Sequence, residues 1–296
     1  MFDRRTLLAA SGAVLAGACV PIDRGRTGRL SAKLRLIEAA VGGRLGAYLL
    51  DTRSGAAVAY RQDERFPHCS SFKTSLAALV LERVEAGAID GDAVIRWSAA
   101  DMVPYAPFVE SRMAQGATAI ELARAAQVLS DNVAANLLLA RVGGPEAVTA
   151  FWRVLGDGES RLDRTEPQLN NVPPGELRDT ATPRAMAHTL SRMLYGDALT
   201  ASTRAALREW MAETRTGAKR VRAALPEGFA AGDKTGNSGN WPGMTPVAVD
   251  VGWAEPPGGG AYTFASYWRS AEGAGQDPNE VLRQVGEVLA EFASPA

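Results

Sequence analysis

Ser70 and Lys73 stand three residues apart in Ser70-Ser71-Phe72-Lys73, a spacing that puts an amine and a hydroxyl on one face of a helix. Lysine supplies only four of the 32 basic residues, Lys33, Lys73, Lys219 and Lys234; all the others are arginine. Unlike arginine, a desolvated lysine can lose its proton and act as a base or relay. A serine beside such an amine is a candidate activated nucleophile, and the start of a helix favours negative charge developing there. A second lysine opens Lys234-Thr235-Gly236, and between the two lie Ser130-Asp131-Asn132 and Glu166-Pro167-Gln168-Leu169-Asn170. Alone, Ser-x-x-Lys recurs by chance about once in a chain this long. Ser-Asp-Asn alone reads as a helix cap and Lys-Thr-Gly as a strand-end turn. Their joint occurrence in this order points to covalent catalysis by a serine.

Elements able to hold these groups can be read from pattern. Ser31 is placed to cap a helix through Leu34, Ile37 and Val41, stopped by Gly42-Gly43. Arg44–Leu50 and Ala56–Tyr60 flank a turn at Asp51–Gly55 and read as a hairpin. Helical spacing then dominates, over Ser71–Ala86, Thr118–Leu129, Asn132–Val142 and Pro145–Leu155, with Ser70 opening the first. The stretch from Gly156 to Asp179 has no periodicity, and loops this long are usually functional or disordered. Thr182-Pro183 starts a further helix. Strand character returns over Phe229–Lys234, Val247–Trp253 and Tyr262–Trp268, and Asp277-Pro278 caps a last helix through Val281, Val285, Leu289 and Phe292. The arrangement expected is an α/β (α+β) fold. One antiparallel five-stranded sheet is built from both ends of the chain and flanked by the terminal helices, with an all-helical domain inserted beside it. In numbers, residues 31–61 and 215–296 form the α/β part, and 62–214 the helical part with its loop at 161–179.

Composition bounds the rest. The 296 residues are 46% hydrophobic and 22% charged, enough for a large core. The net charge of −1 becomes −2 without residues 1–18, which argues against a nucleic-acid partner. His68 and His188 are far apart with no ligand spacing, so a zinc hydrolase is not expected. Residues 1–18, with Arg4-Arg5, a short apolar run and Ala16-Gly17-Ala18, read as an export signal of the twin-arginine type. Residues 19–30 read as a tether. Cys19 is open to lipidation or to simple cleavage before it, which leaves the product periplasmic or membrane-tethered; no internal disulfide is expected.

These four motifs, in this order, resemble those of class A serine β-lactamases over essentially the whole mature length. The resemblance implies a monomeric enzyme that acts on a small β-lactam and needs no metal or organic cofactor. It implies that Ser70 is acylated beside Lys73, that Ser130 passes a proton to the departing nitrogen, and that Asn132 holds the substrate's side-chain carbonyl. Lys234, Thr235 and Gly236 would line the pocket and draw in the substrate carboxylate, and the N–H groups of Ser70 and Asn237 would form the oxyanion hole. Glu166 and Asn170 would grip the water that frees the acid. Arg164 and Asp179 would pin the loop, Asn136 would tie it to the helices, and Glu166-Pro167 would be cis.

Departures from the family pattern are equally specific. Met244 stands where many members place an arginine, so Arg220 with Thr216 nearby is expected to serve the carboxylate. Ser238 cannot form a disulfide with Cys69, which removes the support that such a bridge lends to carbapenem hydrolysis. Asn237 is unusual after Lys-Thr-Gly, and Tyr105 beside Pro104 is either an aromatic wall or a core tyrosine. A D-Ala-D-Ala peptidase or penicillin sensor shares three of the motifs but lacks the loop glutamate. A silent binding module on the same fold is the third reading.

Overall fold

A computed structural model describes residues 23–273 and 275–294. Residues 1–18, read above as an export signal, and Cys19 lie outside them. Helix α1 (Arg24–Val41) begins well before the expected cap at Ser31 and occupies most of the expected tether. Asp23 caps it by accepting from Arg26 N at 2.9 Å. Arg26 Nη2 then donates to the carbonyls of Glu291 and Ser294, each at 2.6 Å. This docking outweighs Gly25 and Gly28, each costing about 1 kcal/mol in a helix. Ser31 lies inside the helix, where its hydroxyl accepts from Ala59 N.

Five strands make the sheet: β1 (Arg44–Asp51), β2 (Ala57–Tyr60), β3 (Ala230–Asn237), β4 (Val247–Glu255) and β5 (Tyr262–Arg269). Their order is β2-β1-β5-β4-β3, antiparallel throughout, so the two ends of the chain interleave and β3 is left on an edge. Alternate residues face opposite ways. One face, with Leu45, Leu49 and Phe264, packs on Leu30 and Leu34 of α1 and on Val285 and Leu289 of α8 (Pro278–Ala293). The other, with Tyr48, Val249, Val251 and Tyr267, packs on the helical layer.

That layer comprises α2 (Phe72–Glu85), α3 (Ala119–Val128), α4 (Asn132–Val142), α5 (Pro145–Val154), α6 (Pro183–Tyr195) and α7 (Ala201–Ala212). Helix α2 is its axis, with every residue from Phe72 to Val80 buried. The helix starts read from the sequence hold, and each has a cap: Thr118 forms a capping box with Glu121, Asp131 caps α4, and Thr182 caps α6 ahead of Pro183. Helix α2 starts at Phe72, and Ser70 sits instead in a 3₁₀ turn, Cys69–Ser71. The long loop holds one more such turn, Gln168–Asn170.

Candidate active site

Four non-glycine residues with left-handed backbone bracket one cleft and its loop: Cys69 (φ 46°), Tyr105 (φ 67°), Ser130 (φ 63°) and Asp179 (φ 58°). Such conformations cost on the order of 1–3 kcal/mol each and persist only where packing over-determines them. At Ser130 the cause is visible. Asp131 accepts from Ala134 N at the head of α4 and from the N–H groups of Phe108 and Val109 at the head of the short helix Pro107–Ser111. A single carboxylate caps two helices, and Ser130 turns inward as a result.

Ser70 Oγ is the point of convergence. Lys73 Nζ donates to it at 2.9 Å, and it donates to Glu166 Oε1 at 3.2 Å. Lys73 Nζ also lies 2.9 Å from Glu166 Oε1, 3.0 Å from the Ser130 carbonyl and 2.5 Å from Asn132 Oδ1. Both charged side chains are fully buried. Burial lowers the pKa of Lys73, against the opposing pull of Glu166. On the other side, Lys234 Nζ donates to Ser130 Oγ and to the Thr235 carbonyl, each at 2.9 Å. Burial, with Lys73 adding to it, holds Lys234 well below the ordinary lysine range. Asn132 Nδ2 donates to the Pro104 carbonyl, which leaves its second N–H to the cleft.

Glu166 is held through both backbone and side chain. Asn136 makes a reciprocal pair with it, each bond 2.9 Å, and Glu166-Pro167 is cis. Asn170 Nδ2 donates to Glu166 Oε2 at 2.6 Å, while Asn170 Oδ1 is buried with no partner among the described residues. The neck of the loop is closed by Asp179, which accepts from Asp163 N, Arg164 N and Arg164 Nε. The Asp179 carboxylate is fully buried, so this pair is no ordinary surface ion pair.

Strand β3 forms the opposite wall. A Cβ on Gly236 would lie 2.8 Å from Cys69 Cβ, 2.9 Å from Ser70 N and 3.0 Å from the His68 carbonyl, so only glycine allows this approach. Because Ser238 N bonds to the Val247 carbonyl, the N–H of Asn237 points away from β4, off the free edge where Ser70 lies. Thr235 and Thr216 hydroxyls meet at 2.5 Å.

The cleft encloses about 350 Å³ and is lined by Ser70, Tyr105, Ser130, Asn132, Glu166 and Asn170 on one side and by Thr216, Thr235 and Asn237 on the other. Tyr105 is more than half exposed at its rim, so it is not a core tyrosine. Lys73 and Lys234 stand behind these walls. Arg220 lies deeper than its expected contact with a carboxylate suggests. It is 4% exposed, donates to the Gly236 and Val249 carbonyls and Asn279 Oδ1, and reaches the rim by donating to Asn237 Oδ1 at 2.7 Å. Cys69 is a free, buried thiol. Ser238, which cannot bridge to Cys69, donates to the Gly239 carbonyl and accepts from Val247 N, which steadies the end of β3.

One residue that pattern did not single out is Gln127. It accepts from Thr74 of α2 and donates to Thr214 and the Asp233 carbonyl, tying helix to strand behind the cleft. A buried glutamine on an otherwise apolar helix face was the available signal.

The model of the "Beta-lactamase enzyme family" matches residues 29–293. The chain is 44% identical to the carbapenem-hydrolyzing β-lactamase KPC of Klebsiella oxytoca over 79% of its own length and 78% of that protein's. It is 40% identical to β-lactamase AST-1 of Nocardia asteroides over 97% and 95%. Among solved structures, an ancestral (GNCA) class A β-lactamase superposes with TM-score 0.83 at 44% identity, covering 89% of this chain and 99% of that one. A β-lactamase from Desulfarculus baarsii does so with TM-score 0.85 at 38% identity, covering 91% and 99%. On shared sequence, shared fold and the cleft described above, the chain belongs to the class A serine β-lactamase family.

Proposed function

We propose that the protein hydrolyses the amide of a β-lactam through an acyl-enzyme on Ser70. The observation that carries this is the convergence of Lys73 Nζ and Glu166 Oε1 on Ser70 Oγ, with Asn170 on the other Glu166 oxygen. In acylation, Ser70 Oγ attacks the ring carbonyl, and its proton leaves to one of the two groups hydrogen-bonded to that oxygen, the Glu166 carboxylate or the desolvated Lys73 amine. Lys73, donating to the same oxygen, supports the developing charge and keeps Asn132 and Ser130 in place. The N–H groups of Ser70 and Asn237 receive the oxyanion; losing one such donor typically costs about 100- to 1000-fold. As the C–N bond breaks, the ring nitrogen takes the Ser130 hydroxyl proton while the bond from Lys234 Nζ steadies that oxygen, and the proton released by Ser70 passes by way of Lys73 to Ser130, which restores its hydroxyl and leaves Glu166 a carboxylate. Thr235, Thr216 and Asn237 face the substrate carboxylate, with Lys234 supplying charge from behind.

In deacylation, Glu166 Oε2 and the free Asn170 Oδ1 hold a water against the ester, and Glu166 takes its proton and returns it to Ser70 Oγ, which leaves as the alcohol. This second half distinguishes turnover from the permanent acylation of a penicillin-binding transpeptidase. Export by residues 1–18 belongs to the same reading, and mass spectrometry of the mature protein separates cleavage from lipidation at Cys19.

The test is a chromogenic cephalosporin mixed with purified protein, followed by the Glu166→Ala variant. Wild type is expected to turn over. The variant is expected to accumulate the Ser70 ester by mass spectrometry, with deacylation slowed by about 100- to 10,000-fold. A wild type that gives a single stoichiometric burst is a penicillin sensor, and one that does not react is a binding module.

A further inference from the structure

His68 lies two residues before Ser70 and has no part in the chemistry just described. Its ring is fully buried, and neither nitrogen has a hydrogen-bond partner among the described residues. It stacks on Trp152 of α5, ring centroids 4.7 Å apart and planes 17° from parallel. Trp152 is itself fixed to α2 by a bond from Nε1 to Ser75 Oγ, two residues beyond Lys73. The backbone of His68 joins the two halves of the site. Its N–H donates to the carbonyl of Asp179 at 2.9 Å, in the neck of the loop that carries Glu166. Its carbonyl accepts from the N–H and the hydroxyl of Ser71, which shape the turn bearing Ser70. The next residue, Cys69, has the left-handed backbone noted above, so this junction depends on its packing.

We propose that His68 is a positioning residue for both halves of the reaction: its neutral ring, stacked on Trp152, latches the Ser70 turn to the neck of the Glu166 loop, and proton uptake by the ring opens that latch. The proposal rests on the hydrolytic reading above. The proton comes from solvent and adds to a ring nitrogen, creating a cation in a closed space whose N–H groups have only the backbone of Thr180 near enough to meet, which is costly. The charged and titratable groups around the ring do not offset that cost. Asp157, after α5, and Asp163, in the neck, attract a proton. The Asp157 carboxylate is already engaged by Thr189 Oγ1 and by the N–H groups of Glu159 and Ser160, and Asp163 by Arg161. Arg65, on the approach to the turn, repels a proton. Asp179 is neutralised by Arg164, Lys73 by Glu166, and β5 presents the un-ionised Tyr267. Burial dominates and holds the ring at about 4, below the ordinary 6.5.

The sign follows from linkage. Above pH 6.5 the ring is neutral in both folded and unfolded chains and has no effect. Between 6.5 and about 4 the unfolded chain takes a proton that the native ring refuses, so stability falls as pH falls, by about 100-fold in the unfolding constant.

The experiment compares wild type with His68→Leu, and with His68→Gln in case leucine does not fold; neither replacement titrates. Urea unfolding at pH 7.5, 5.5 and 4.5 is measured alongside the pH profiles of kcat and KM for a chromogenic cephalosporin. The wild-type unfolding constant is expected to rise about 100-fold more than the variant's between pH 7.5 and 4.5. The acid limb of kcat is expected to move to lower pH in the variant while KM stays level. Superimposable acid behaviour in wild type and variant, in unfolding and in kcat, overturns the proposal. Absent turnover in wild type at pH 7.5 refutes the hydrolytic reading instead, and with it the positioning role, while unfolding still reports whether the ring carries the proton.

Discussion

Lys73 and Lys234 both lie fully buried behind the cleft. Lys73 is packed against a carboxylate and three oxygen acceptors, so its amine can be held close to Ser70 without an exposed charge. A guanidinium is larger, planar and unable to lose its proton. Lys73→Arg is therefore expected to slow acylation by at least about 100-fold, read as the burst rate with a chromogenic cephalosporin. Arg220 acts at one remove, through Asn237. Its removal is expected to raise KM for penicillins about tenfold, the scale of one lost hydrogen bond to a charged group. An unchanged KM in Arg220→Ala would show that the Asn237 amide does not depend on it.

Elements set the distances between these groups. Strand β3 must come within contact of the Cys69–Ser71 turn, and Gly236 is what permits it. In Gly236→Ala the turn or the strand has to shift, because the Cβ meets backbone and a short side chain, not a flexible tip. A displacement of about 1 Å at a reacting atom costs on the order of 100-fold, and that loss in kcat is expected with only a small change in unfolding. The loop neck is the second such element. Asp179→Asn keeps the shape but removes the charge that Arg164 meets. The expected loss is about 1–3 kcal/mol by chemical unfolding, with deacylation slowed more than acylation because acylation keeps Lys73 beside Ser70 while deacylation depends on Glu166, which sits on that loop. Helix starts were legible because caps are local: Asp131, Thr118 and Thr182 announce their helices. Helix α7 was not, since Leu207, Trp210 and Met211 are nearly its only large apolar residues and leave little periodicity to read.

At the scale of the molecule, the sheet separates two cores. Leu34 is fully buried between α1 and the sheet, on the face away from the cleft. Leu34→Ala is expected to cost about 2–5 kcal/mol of stability. kcat is expected to stay within about twofold of wild type, because Leu34 belongs to the core across the sheet from the one that packs around Cys69 and Phe72 beside the nucleophile. Parallel thermal melts and steady-state assays check it. The same separation explains the early start of α1: its docking on α8 is a contact between the two ends of the described chain that no local pattern in residues 24–30 announces.

The amino-acid sequence by itself determined which groups this protein has for chemistry and in what order, because a hydroxyl, an amine and a carboxylate are properties of single residues and helix caps are properties of neighbours. Only the tertiary structure decided that Ser70 and Glu166, 96 residues apart, meet at 3.2 Å, that Arg220 is buried behind β3, and that His68 joins loop to turn. Such contacts depend on how layers pack across the sheet, and packing between distant segments leaves no periodic trace in either one.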